Sequence, residues 1–168
     1  MFGTVFIFSL LLAGCMTVFA GNAGIVLPLL SIFAFYFSMK STVVKTLPWT
    51  VLMAALVDAV WMHRVPGTVL AVLLVTVVAI IWRKFGDLGS WTSLASAAVW
   101  IAVATWVGEF LAVLLGHLHS VVAGDFFGKL LLQILFAEIL TPVLVFGLEH
   151  ILEKRLWVEE GELEDDEG

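Results

Sequence analysis

"VLMAALVDAVWMHRVPGTVLAVLLVTVVAIIW", residues 51–82, decides how this chain is read. Two apolar runs flank the turn signal Pro66–Gly67, and a single carboxylate, Asp58, stands inside the first run. A charged side chain near mid-bilayer costs several kcal/mol, so Asp58 needs a reason to be there. Three are open: a proton or ion site, a helix-to-helix contact, or the outer end of a span. Trp61, His63 and Arg64 suit the membrane interface, and Pro66–Gly67 turns the chain. The stretch therefore reads as the outer end of a helical hairpin, with Asp58 about one turn below the interface. That position makes the carboxylate cheaper to keep and a weaker candidate for carrying protons.

The rest of the chain has the same character. Of 168 residues, 62% are hydrophobic and 13% charged, against about half and a quarter in soluble domains. Mean hydropathy is +1.12. Six spans are predicted, at 2–20, 25–39, 47–62, 68–82, 91–115 and 126–151. Spans two and three open beside Pro28 and Pro48, where a missing N–H is tolerated. The expected fold is an all-α integral membrane protein with one six-helix domain over 1–155. An acidic tail without regular structure is expected over 156–168, since seven of the fourteen acids fall in residues 159–167.

Charge placement gives an orientation. Lys40, Lys45, Arg83, Lys84, Lys154 and Arg155 fall on one side of the six-span arrangement, and only Arg64 and Lys129 on the other. The positive-inside rule then places both termini in the cytoplasm. The eight Lys and Arg are too scattered to suggest nucleic-acid binding. Trp49, Trp61, Trp82, Trp91 and Trp157 lie near span ends, as interfacial rings do, whereas Trp100 and Trp106 lie deeper. The single cysteine, Cys15, excludes an intrachain disulfide. "LLAGC" at 11–15 is similar to a lipobox, but no basic segment precedes it and the apolar run continues after it. Cys15 is expected to be a small buried residue of the first helix.

Three carboxylates lie within or near the spans: Asp58, Glu109 and Glu138. Glu138 is closest to a span centre and the costliest, so its carboxyl is expected to be protonated or hydrogen-bonded to another helix. Pro142 frees the carbonyl of Glu138, and Thr141 is a candidate to satisfy freed backbone groups. These groups suit interhelical or partner contacts better than a proton relay, because no second acid or base follows at helical spacing. His117, His119 and Asp125 lack the spacing of a metal site. No catalytic constellation and no cofactor motif is present, so a non-enzymatic role is expected.

The order of these features resembles the bacterial rod-shape-determining protein family MreD, as a divergent member. The pieces are a second span opening with proline, "LPLLSIFAFYFSM", the aspartate-bearing hairpin of 51–82, and a last span with a polar residue before a proline, "FAEILTPVLVFGLEHILEKR". The likeness covers about residues 25–155. It implies a fold similar to the six-helix substrate-binding subunit (S-component) of energy-coupling-factor transporters. It also implies an inner-membrane scaffold of the elongation complex, bound to the single-span protein MreC and acting in cell shape and peptidoglycan synthesis. Oligomerisation would come through that complex. On this reading Asp58 and Gly67 fix the third-to-fourth hairpin, Glu138 with Pro142 shapes the last helix, and Glu109 is a further polar contact. The alternative is a vitamin-type, small-molecule-binding subunit of a transporter, which the size, six spans and scattered tryptophans suit as well.

Overall fold

The computed structural model describes residues 2–22, 27–61, 65–86, 88–115 and 123–165, the side chains of 2, 22, 123–126 and 153–165 excepted. The described elements are six helices: α1 (Phe2–Asn22), α2 (Leu29–Lys40), α3 (Val43–Val60), α4 (Gly67–Trp82), α5 (Trp91–Leu115) and α6 (Ala123–Asp165). Four segments are long and apolar enough to cross a membrane: Gly3–Gly21, Val43–Val60, Trp91–Leu115 and Phe127–Leu152. Their outward side chains are mostly apolar, among them Phe8, Leu56, Trp100 and Leu131, the inverse of a water-facing surface. The chain is an all-α, multi-pass membrane protein.

The two shorter helices lie where the sequence placed spans two and four. α2 has 12 residues, about 18 Å at 1.5 Å per residue, well below a hydrocarbon core of about 30 Å. Its sequence, LLSIFAFYFSMK, is apolar on every side, the pattern of a helix enclosed by others. α2 touches all five other helices, and every residue from Leu29 to Ser38 is buried. Aromatic edges fill its surroundings: Phe6 of α1 meets Phe37 edge-on with ring centroids 4.7 Å apart. Pro28 lies just before the helix, its carbonyl accepting from the Ile32 N–H at 2.9 Å.

Three local differences from expectation have simple causes. α3 begins at Val43, one turn before the expected start, and carries Pro48 inside it. Pro48 leaves the Val44 carbonyl without its usual donor, in the exposed first turns of the helix where Val44 faces outward. Cys15 is exposed, not buried. The inward stripe of α1 is Phe6, Ser9, Leu10, Ala13 and Thr17, and Cys15 falls on the opposite, Leu11–Leu12–Met16–Phe19 side. Finally, α6 stays helical to Asp165, into the acidic segment expected to lack regular structure. Glu, Leu, Lys and Arg there are good helix formers continuing an existing helix, which removes the nucleation cost.

α4 and α5 pack through small residues. Gly67, Ala71, Val75 and Ala79 recur every fourth residue along α4, and all are buried. Gly108 of α5 lies so close to α4 that a Cβ there would stand 2.5 Å from Ala71 Cα. A Cβ on Gly67 would meet Ala112 Cβ at 3.2 Å. In lipid there is no hydrophobic drive between helices, so this backbone approach is what van der Waals packing can use.

Candidate functional site

Asp58 is explained by the helix that follows it. α4 opens at Gly67 after Pro66, and no capping side chain stands beside its first turn. The first N–H groups of any helix lack intrahelical acceptors. Asp58, near the end of α3 and only 4% exposed, supplies them from across the turn. Its Oδ1 accepts from the Thr68 N–H and its Oδ2 from the Val69 N–H, each at 3.1 Å. One carboxylate thus does the work of a cap, at the positive end of the helix dipole. Gly67 is buried beside it, with Glu109 Cα 3.8 Å from where its Cβ would stand.

Glu109 lies on α5 at the same end of the bundle. Its Oε1 accepts from Gln133 Nε2 of α6 at 3.1 Å, a contact 24 residues apart in sequence. Asp58 and Lys129 are the charged groups close enough to act on it electrostatically. The structure therefore brings Asp58, Gly67 and Glu109 together and adds Gln133. Gln133 is fully buried, and its Oε1 has no hydrogen-bond partner among the described residues. Nothing in the sequence distinguished it, since a glutamine at a span end also suits the interface.

Glu138 and Pro142 belong elsewhere. Gln133, Ala137, Thr141 and Val145 recur every fourth residue and form the fully buried stripe of α6. Ala137 of that stripe packs with Ala98 and Ala102 of α5. Glu138, one residue on from Ala137, is turned by about 100° and is exposed on the outer side of the helix. Among the described residues Glu138 makes no hydrogen bond to a neighbouring helix of this chain, which leaves a partner's helix as the other contact the expectation allowed. Pro142 is buried. Thr141 does not serve the backbone freed by it, because its hydroxyl is buried with no partner among the described residues.

A second polar set, also missed, ties α2 to α6 at the opposite end. Lys40 Nζ lies 2.7 Å from Glu149 Oε1, which also accepts from Tyr36 Oη at 3.4 Å. Close by, the Arg83 guanidinium donates to the Ser41 carbonyl, joining the end of α4 to the α2–α3 turn. A tyrosine hydroxyl deep in an apolar helix was the available signal, because buried Tyr O–H groups need partners. The side chains of His63, Arg64, His117, His119, Asp125 and Trp157 lie outside the described residues. Among the described residues, no three His, Cys, Asp or Glu side chains gather as metal ligands would.

These features define a multi-pass helical membrane protein in which the carboxyls of Asp58 and Glu109 each join one helix to the next. No family model matches the chain, and no curated protein and no solved structure is significantly similar to it.

Proposed function

We propose that this chain is a non-enzymatic scaffold of the bacterial inner membrane, related to the MreD proteins, that binds an MreC-like single-span partner and acts in cell shape and lateral peptidoglycan synthesis. The observation that carries the reading is the double hydrogen bond from Asp58 to Thr68 and Val69. The likeness to that family rests most heavily on an aspartate placed before the third-to-fourth turn. In this chain that aspartate holds a hairpin together, and both of its oxygens are committed to backbone N–H groups. A group so committed suits a rigid helix assembly and is poorly placed to shuttle protons. The close α4–α5 approach at Gly108 supports the same reading.

On this proposal α2 and α4 complete a six-span arrangement like that of the S-component fold, with both termini cytoplasmic. The test is co-purification with an MreC-like partner from the native membrane, together with cell shape after deletion of the gene. Recovery of the partner and rounded cells are expected. Normal shape with no such partner, or a vitamin retained on purification and seen by native mass spectrometry, overturns the proposal in favour of a transporter subunit.

A further inference from the structure

Asp58, Glu109 and Glu138 differ in one respect. Asp58 and Glu109 meet hydrogen-bond donors of this chain, whereas Glu138 faces outward. It lies 11 residues from Phe127 and 14 from Leu152, the ends of the apolar segment of α6, or about 16 and 21 Å along the axis. Neither interface is within reach of a glutamate side chain. Lys129, the nearest described cation on α6, is nine residues away, about 13 Å. The other described cations, Lys40, Lys45, Arg83 and Lys84, lie at or beyond helix ends. A polar group left in lipid at this depth is costly, and intramembrane carboxyls pair with donors.

The surroundings of Glu138 have the form of a helix-packing seam. Gly128, Leu131, Leu135 and Glu138 recur at spacings of three and four along one side of α6. Leu131 and Leu135 are 69% and 56% exposed. A Cβ at Gly128 would meet nothing within 4 Å, so packing inside this chain makes no use of its small size. A neighbouring helix would, because small residues let backbones approach in lipid.

We infer that this seam is the docking site for one transmembrane helix of another protein, carrying a hydrogen-bond-donating side chain (Arg, Lys, Asn or Gln) at the depth of Glu138. Charge complementarity selects the occupant. A second copy of this chain related by a two-fold axis would set carboxyl against carboxyl and satisfy the pair only with an added proton, whereas a basic or amide donor satisfies the carboxylate as it stands. The inference rests on the scaffold reading and deepens it by giving the single-span partner a surface and a chemistry.

The experiment is site-specific photo-crosslinking in the native membrane, with the co-expressed single-span partner as the named target. Benzophenone side chains are placed at Leu131 and Leu135 on the seam, and at Leu11 of α1 and Val77 of α4 as controls. Crosslinks to the partner from the α6 positions alone are expected. Glu138→Leu should lower that yield at least fivefold, Glu138→Gln should retain most of it, and Leu in place of the partner's donor should reproduce the loss. An unchanged elution profile of each purified variant establishes that the fold is intact. Crosslinks from α1 or α4 alone, a crosslink to a second copy of this chain, or full yield with Glu138→Leu each overturn the docking site while leaving the scaffold reading in place. If no position captures the partner and the partner also fails to co-purify, both fall together.

Discussion

Replacing Asp58 by alanine strips the start of α4 of its acceptors. Two N–H groups, of Thr68 and Val69, each lose a 3.1 Å bond, and the side chain that held them is almost fully buried. A buried donor left unsatisfied costs about 1–3 kcal/mol, and a lost helix cap about 0.5–2 kcal/mol. The two bonds are partly buried, which puts each near the low end, so the pair comes to about 2–4 kcal/mol. For a chain of this size each kcal/mol moves Tm by about 2–4 °C, so Asp58→Ala should lower Tm by about 5–15 °C. Asp58→Asn keeps one acceptor oxygen and turns an NH2 toward the second N–H, so it should fall between alanine and the native protein. The assay is thermal unfolding of the detergent-purified protein followed by tryptophan fluorescence. A Tm for Asp58→Ala within about 1 °C of native, or Asn no better than Ala, would refute the capping account.

Five further perturbations test the packing and the second polar set. Gly108→Val should separate α4 from α5 and reduce stability by about 1–3 kcal/mol, the usual scale of overpacking. Gly147→Ala, where a Cβ meets nothing within 4 Å, should leave Tm in the same assay unchanged or raise it slightly through helix propensity, by up to about 1 kcal/mol. Thr141→Val should be neutral or stabilising by up to about 1 kcal/mol, since it removes a buried hydroxyl that has no partner among the described residues; a clear loss of Tm would mean that the hydroxyl is bonded. Lys40→Ala should cost at most about 1 kcal/mol, because the Lys40–Glu149 pair is part-exposed (39% and 25%) and screened. Glu149→Ala should cost more than Lys40→Ala, since it also removes the acceptor of the buried Tyr36 hydroxyl, and double-mutant unfolding experiments measure the coupling.

Much of the site was legible as residue types and little of it as relations. Asp58, Gly67 and Glu109 stood out because a carboxylate or a glycine in an apolar run is conspicuous. That Asp58 reaches ten and eleven residues forward to the α4 backbone depends on how the unsatisfied N–H groups of a helix start are met in three dimensions. Gln133 and Glu149 passed unnoticed because a polar residue near a span end has an ordinary explanation in the interface. Glu138 was recognised as costly, but the side of α6 it takes was not legible: one residue's rotation separates it from the buried Ala137.

The sequence by itself determined that this is a helical membrane protein and where its apolar runs begin and turn. Composition, span length and proline or glycine punctuation are local quantities, and lipid leaves the backbone few alternatives to a helix. Only the tertiary structure decided which helix is enclosed, which carboxyls are satisfied within the chain, and which one faces out. α2 becomes the centre because it touches every other helix, a property no single segment contains. In the stretch of 51–82, hydropathy marked Asp58 as an anomaly, and the helix beginning nine residues later supplied its reason. Facing directions and partners are set by packing between segments distant in sequence, and that is where the physics of this chain is decided.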